Sequence, residues 1–102
     1  MYGNSMEVNN QIERIRVKIT PTLKEYRVTR ASIFGSYARG DQNKKSDVDI
    51  LIEIDRGTDL IELIRLRTKL QRIIKRKVDL VEYTSIRKEL KNSILNHQVR
   101  IL

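Results

Sequence analysis

Two aspartates separated by one residue, Asp47 and Asp49, are the side chains of this sequence best suited to chemistry. They stand at the start of a β-branched run, residues 48–54, that predicts a strand, and residues i and i+2 of a strand project to the same side. Two carboxylates about 4 Å apart repel by roughly 4 kcal/mol at an effective dielectric near 20, so the pair needs a proton, a cation or open water. Hard oxygen ligands favour Mg²⁺ or Mn²⁺, and Mg²⁺ commonly shares its shell with substrate phosphates. The pair therefore indicates a metal-bound nucleotide.

A glycine and a serine, Gly35 and Ser36, follow the short apolar run 31–34, which predicts a buried strand. Glycine lets the backbone approach an anion closely, and the serine hydroxyl and following amides donate hydrogen bonds, so this turn is a candidate phosphate site. Arg39 adds positive charge nearby, and ten residues separate Ser36 from Asp47. The pattern matches neither a Walker loop nor a Gly-x-Gly-x-x-Gly dinucleotide loop, which sets both classes aside.

A third aspartate, Asp79, lies in a later apolar run, residues 78–81, that predicts another strand. A lone acid buried there would be costly unless it were paired or bound to metal. In a two-metal site, a third carboxylate holds the metal that activates the attacking hydroxyl, or accepts its proton. We therefore assign Asp79 to the acceptor side as a hypothesis. Each feature alone is compatible with an ordinary turn, hairpin or sheet edge, so the prediction depends on their combination.

The composition argues against several other kinds of site. The 102 residues include no cysteine and one histidine, His97, so disulfides, thiolate sites, multi-histidine metal centres and a conventional Ser-His-Asp triad are not expected. His97 is expected near the end of a helix. The net charge of +8 predicts a surface that attracts polyanions, and basic residues concentrate in the predicted helices at 65–77 and 87–91. A binding surface and a solvated helix face are both compatible with that pattern.

The first helix is predicted over residues 7–19, where apolar residues recur at helical spacing. That stripe consists of Val8, Ile12, Ile15 and Ile19. At Thr20-Pro21 the helix is expected to kink or restart and to continue to about Tyr26. Residues 1–5 are expected to form a loose tail.

Two further helices are predicted downstream of residue 57. Thr58 or Asp59 can cap a helix that runs to about Arg76, and Thr84 or Ser85 can cap the last one. The residues expected to face inward are Leu60, Leu63, Ile64, Leu70 and Ile74 in the former, and Ile86, Leu90 and Ile94 in the latter. The order helix, strand, strand, helix, strand, helix predicts one α/β or α+β domain over residues 1–102. No run is long enough to cross a bilayer, which predicts a cytoplasmic location.

The segment FGSYARG at 34–40, followed by SDVDIL at 46–51, resembles the signature of the minimal nucleotidyltransferases, the smallest members of the DNA polymerase β superfamily. The resemblance covers nearly the whole chain and implies that family's α+β core with a mixed sheet. Carried over by motif, Gly35 and Ser36 would bind the triphosphate, Asp47 and Asp49 the metals, and Asp79 the acceptor side. Two other residues, Arg39 and Ser46, complete the expected nucleotide-binding set.

The resemblance also implies a partner, because small proteins of this family are often antitoxins of all-helical HEPN ribonuclease toxins. It implies transfer of AMP from ATP, with Mg²⁺ or Mn²⁺, to a tyrosine of the toxin. A partner protein is the expected acceptor, since the chain shows no second domain that could build an acceptor cleft. Two alternatives stay open: transfer to a small molecule such as an aminoglycoside, and a non-catalytic antitoxin or nucleic-acid-binding module that acts by contact. The nucleobase and a homo-oligomeric state also stay open.

Overall fold

The computed structural model of the chain describes the backbone of residues 2–102 and the side chains from residue 10 onward. Within that part, the elements in chain order are α1 (Tyr2–Glu25), β1 (Val28–Phe34), α2 (Gly35–Arg39), β2 (Val48–Ile54), α3 (Leu60–Ile74), β3 (Val78–Glu82), a 3₁₀ turn (Tyr83–Ser85), α4 (Lys88–Asn96) and β4 (Val99–Arg100). The chain is thus an α+β domain, as predicted. The expected loose tail at residues 1–5 is not found from Tyr2 onward, because α1 already begins there. The inward position of Val8 concerns a side chain outside the described residues.

The four strands found in the described residues form one mixed sheet in the order β3-β2-β1-β4. Strand β1 runs antiparallel to β2 and to β4, whereas β2 and β3 are parallel. The two-residue strand β4 was not predicted, because it is too short to show a period. It is held by backbone bonds in which the amide of Ala31 donates to the carbonyl of Leu102 and the amide of Ile101 donates to the carbonyl of Ala31.

Helices α1 and α3 pack together on one face of the sheet and form the core with it. The predicted stripe of α1 is confirmed over its described part, because Ile12, Ile15 and Ile19 are all buried. The helix continues through Pro21 to Glu25 in a single element rather than restarting. Proline removes one helical hydrogen bond, and packing of Leu23 in the core compensates for that loss.

The predicted inward face of α3 is confirmed for Leu63, Leu70 and Ile74 and wrong for two other residues. Leu66 and Leu70 are fully buried, whereas Leu60 and Ile64 are 70% and 47% exposed. The helix begins at Leu60 after the N-cap Asp59, whose carboxylate accepts the backbone N–H of Glu62 at 2.8 Å. Its buried line therefore follows Leu66 and Leu70, four residues apart, and residues 60 and 64 lie beside that line rather than on it.

The last helix also differs from the prediction. Thr84 and Ser85 belong to the 3₁₀ turn instead of capping α4, and Arg87 occupies the N-cap position. Helix α4 contains no buried residue, and Leu90 in the predicted inward stripe is 52% exposed. The stripe was inferred from spacing, which shows periodicity but not whether a surface is available to cover it. The position of His97 at the end of α4 is confirmed.

None of the helices in the described part of the chain combines the length and the apolar character needed to cross a membrane.

Candidate active site

Sheet pairing brings the predicted aspartates to one place. Phe34 at the end of β1 is paired with Asp49, and Asp49 is paired in turn with Asp79 on the parallel strand β3. Paired residues on neighbouring strands, about 4.8 Å apart, project to the same side of a sheet. Asp47 directly precedes β2 and lies two residues from Asp49. The face opposite helices α1 and α3 therefore carries the acidic cluster.

Asp49 is the half-buried member of this cluster, while Asp47 and Asp79 are exposed. Burial first, then repulsion by Asp79 and by Asp47, together raise the pKa of the Asp49 carboxyl to about 6. The positive charge of Arg39 opposes this rise. The pKa of Asp49 thus responds to both other aspartates and to Arg39, so these four side chains share one electrostatic environment.

Two details of the cluster differ from the prediction. Asp79 is exposed, so the cost of burying a lone acid does not explain its presence in β3. In addition, no group of three Asp, Glu or His side chains among the described residues is arranged to enclose a metal by itself. The aspartates therefore form an open group on the sheet surface, which is looser than the tight triad expected from the spacing.

Gly35 lies against Asp49 at the junction of β1 and α2. Its φ is +69°, a conformation that side-chain-bearing residues rarely adopt. A Cβ at this position would lie 2.0 Å from the Oδ2 atom of Asp49, far inside contact distance. The positive φ and the short distance to Asp49 both favour glycine here. The backbone of Gly35 thus lies close to the Asp49 carboxylate.

Ser36 and Arg39 lie in the single turn of α2 that follows Gly35. The carbonyl oxygen of Ser36 accepts the backbone amides of Gly40 at 2.9 Å and Asp41 at 3.1 Å, which closes the turn. The Arg39 guanidinium is exposed and its Nε lies 3.3 Å from Oδ2 of Asp41. Arg39 is therefore near enough to lower the pKa of Asp49 and is held by an exposed pair that a stronger anion can replace.

Ser46 is used within the loop that leads to Asp47. Its hydroxyl oxygen accepts the backbone amide of Asn43 at 2.9 Å, and its own amide donates to the carbonyl of Asn43 at 3.1 Å. The Asn43 side chain in turn accepts the amide of Lys45 at 2.8 Å. These bonds give Ser46 a direct part in shaping the loop, and its nucleotide-binding role stays a prediction.

A polar group that the sequence did not indicate lies on the same face, next to the acidic cluster. The hydroxyls of Ser32 and Tyr83 are 2.7 Å apart, and the Tyr83 hydroxyl donates to Oε1 of Gln98 at 2.9 Å. The Arg30 guanidinium stacks on the Tyr83 ring, 4.0 Å from its centre. Ser32 stands within an apolar run and Tyr83 follows an ordinary strand, so no spacing or composition signal marks this contact.

The donor chemistry of the cluster fits a hard divalent cation. The three aspartates offer only carboxylate oxygens, and burial followed by repulsion from Asp79 and Asp47 raises the pKa of Asp49 although Arg39 opposes the rise. An open group of this kind suits Mg²⁺, which keeps several waters and shares its shell with substrate phosphates. Asp47 and Asp49 are the residues that would hold it.

Relatives of known name cover most of the chain. A candidate protein adenylyltransferase of Methanocaldococcus jannaschii is 46% identical over 91 residues, which is 89% of this chain and 98% of that protein. A solved structure described as a candidate minimal nucleotidyltransferase has a TM-score of 0.76 at 25% identity and covers 90% of this chain and 93% of its own.

A chain from the crystal structure of a toxin–antitoxin with AMP-PNP also has this fold. It has a TM-score of 0.74 and 27% identity, and the match covers 85% of this chain and 72% of that one. The family described as Polymerase beta, Nucleotidyltransferase matches residues 17–102, which include β1, β2 and β3 with all three aspartates. The chain therefore belongs to the polymerase β nucleotidyltransferase family and is an enzyme of the nucleotidyltransferase class.

Proposed function

We propose that this enzyme transfers AMP from ATP to a hydroxyl of a partner protein, most simply a tyrosine of a HEPN-type toxin, and thereby acts as an antitoxin. The relative in M. jannaschii is named for protein adenylylation, and a structural neighbour was crystallised as a toxin–antitoxin with the ATP analogue AMP-PNP. Those names supply the adenine nucleotide, the protein acceptor and the partner class. The tyrosine and the HEPN class rest on the motif resemblance, and a cytoplasmic location stays part of the same prediction.

The observation that carries the catalytic part is the pairing of Asp49 with Asp79 beside the Gly35 turn. Asp49, whose pKa is raised, lies between the Gly35 turn, to which we assign phosphate binding, and the exposed carboxylate of Asp79. A nucleotide bound at Gly35 and Ser36 would therefore bring its phosphates to Asp49, with Asp79 on the far side. In-line transfer requires the triphosphate, the reacting phosphorus and the acceptor to lie in a row. The Gly35 turn, Asp49 and Asp79 lie in the same order across the sheet.

In the proposed reaction, the acceptor oxygen attacks the α-phosphorus of ATP, an O–P bond forms, and the bond between the α-phosphorus and the bridging oxygen breaks as pyrophosphate leaves. Asp79 is the exposed carboxylate on the acceptor side, and it takes the hydroxyl proton. The amides after Gly35 and the Arg39 guanidinium hold the phosphates, where they offset the negative charge that develops on the leaving pyrophosphate. Asp47 and Asp49 would hold a divalent cation, which when bound supplies charge neutralisation for the phosphates.

The surface around the cluster is consistent with a large acceptor. Asp47 and Asp79 are exposed, and neither is covered by α1 or α3, which pack on the opposite face. A tyrosine that projects from the surface of another protein can reach an open site of this kind. A small acceptor would gain little binding energy there, because few side chains enclose it.

Incubation of the protein with α-labelled ATP, Mg²⁺ and a purified HEPN-type toxin tests the proposal. We expect label on the toxin with the wild-type protein and none above background with Asp47→Asn. The Glu53→Gln variant is a matched control, because Glu53 is an exposed acid at the far end of β2, four residues beyond Asp49, and forms an ion pair with Arg30. It should transfer label at the wild-type rate.

The outcome also separates the alternatives. Inhibition of the toxin by Asp47→Asn at wild-type strength, with no label transferred by either protein, would replace the proposal with an antitoxin that acts by contact. Label transferred to an aminoglycoside but not to any protein would make the enzyme a small-molecule transferase. Label on a toxin variant in which every exposed tyrosine is replaced by phenylalanine would refute the tyrosine acceptor alone.

A further inference from the structure

Apart from the acidic cluster, a polar cavity of about 440 Å³ lies between α1, the loop that follows α2 and the end of α3. Three basic side chains line it, one from each of these elements: Arg14, Lys44 and Arg76. The amides of Gln11, Gln42 and Asn43 complete its polar wall. Among the residues that the structure describes, no aspartate or glutamate lines this cavity, so its electrostatic character is positive.

Within residues 10–102 these three cations form no ion pair. The ion pairs found among the described residues involve other bases, namely Arg16, Arg27, Arg30, Arg39 and Lys69. The Arg76 guanidinium instead donates to the backbone carbonyl of Lys44, which draws these two residues together. Like charges that converge in a concave, partly dry site are relieved by a bound anion, and concave walls strengthen the attraction.

The dimensions of the cavity favour an organic anion over a bare ion. Its volume falls within the range of roughly 300–1,000 Å³ that is usual for small-molecule sites. Ile15 and Ile74 give it an apolar floor, and the amides provide both donors and acceptors. Arginine and lysine together are the side chains that bind phosphate esters most often.

The cavity is distinct from the acidic cluster. None of Gly35, Ser36, Asp47, Asp49 and Asp79 lines it. Its walls come from α1 and α3, which pack on the face opposite the aspartates. Two elements are shared with that cluster. Tyr37 of α2 and the Gly40 that follows it line the cavity, and so do residues 42–44 of the loop that ends at Asp47.

We propose that this cavity binds a nucleoside phosphate, with the phosphate at Arg14, Lys44 and Arg76 and the rest of the ligand against the amides and the apolar floor. The ligand can be a free nucleotide or one unit of a single-stranded nucleic acid, since both present the same phosphate ester. The inference does not depend on the catalytic proposal, because no aspartate takes part in binding.

Calorimetric titration with AMP in EDTA tests the cavity, because without a divalent cation the acidic cluster repels phosphate. We expect saturable one-to-one binding that Arg14→Gln and Lys44→Gln each weaken at least about fivefold, as loss of one charge-assisted hydrogen bond requires. Arg72→Gln makes the same change in net charge outside the cavity and should bind AMP as the wild type does. Each variant is checked for an unchanged thermal melt.

A second titration with a short oligoadenylate identifies the source of the ligand. Tighter binding than AMP, weakened by the same two substitutions, would assign the cavity to nucleic acid, and equal or weaker binding would assign it to free nucleotides. The proposal is overturned if AMP does not bind. It is also overturned if Arg39→Gln weakens binding and Arg14→Gln does not, since the ligand would then lie at the catalytic turn.

Discussion

The two faces of strand β2 serve different purposes although their residues alternate along the same seven positions. Val48, Ile50 and Ile52 are fully buried against α1 and α3. On the other face Asp49 is half-buried and Glu53 exposed, with the fully buried Leu51 between them. The apolar face gains free energy from every buried methylene, while the acidic face holds charges that repel one another. Adjacent residues of β2 therefore contribute either to the stability of the fold or to the proposed chemistry. Single substitutions can change one of these properties without the other.

The largest effect is expected from Asp49→Asn. Removal of the central carboxylate should lower the rate of AMP transfer at least about a thousandfold, or roughly 4 kcal/mol, because charge stabilisation at the reacting phosphate is lost. The same change should not lower the melting temperature in EDTA, since it removes a repelled, half-buried charge. Initial rates with labelled ATP and a thermal melt measure the two effects. Retained transfer would remove the acidic face from the mechanism.

The next effect is expected from Ile50→Ala, one residue away on the opposite face. Ile50 is fully buried in the core, so truncation should lower the free energy of unfolding by about 2–5 kcal/mol through lost burial and a residual cavity. The folded fraction should keep the wild-type transfer rate per molecule. Urea denaturation gives the first quantity and an activity assay corrected for folded protein gives the second. A loss of transfer in fully folded Ile50→Ala would show that the two faces are coupled.

The smallest effect concerns the pH dependence of stability without metal. The pKa of Asp49 is about 6 in the folded chain against 3.8 as its ordinary value. The folded state therefore binds more protons between these pH values, and the free energy of unfolding falls as pH rises through that window. We expect about 1 kcal/mol, reduced for the solvent screening of a half-exposed group.

The Asp49→Asn variant is the control for this pH effect, because it lacks the titrating carboxyl. Its stability relative to the wild type should increase as pH rises through the same window and should be equal to it at lower pH. Denaturation curves in EDTA at several pH values provide the comparison. A constant difference would mean that Asp49 does not titrate as its surroundings require.

The elements that carry the acidic face could be predicted from the sequence because their signals are local. The β-branched run at 48–54 predicted β2 with the bounds that the structure shows. The apolar run at 78–81 predicted all but the last residue of β3. The convergence of Asp49 and Asp79 was expected from chemistry alone. The pairing of Asp49 directly opposite Asp79 depends on the register between two strands whose paired residues lie thirty positions apart in the sequence. A local sequence pattern does not specify such a register.

The parts that could not be predicted depend on which surfaces meet. The exposure of Leu60 and Leu90 follows from the orientation of α3 and α4 on the sheet, and periodicity gives a stripe without its rotation. The contact of Ser32 with Tyr83 joins residues far apart in the chain, and the exposure of Asp79 reflects its place on an edge strand. The sequence predicted that the three aspartates belong to one site, but it could not predict that they form an open group.

The turn between α3 and β3 has a consequence for how this enzyme can change. Helix α3 ends at Ile74, Lys75 adopts a left-handed conformation with φ of 62°, and the carbonyl of Lys77 accepts the amide of Val48 at 2.9 Å. These few residues fix which side chain of β3 stands opposite Asp49. A one-residue insertion or deletion here would turn Asp79 toward the helices and bring an apolar neighbour into its place. Natural length variation at this turn should therefore be far rarer than amino-acid replacement, and a designer could use a single inserted residue to switch the acceptor side off.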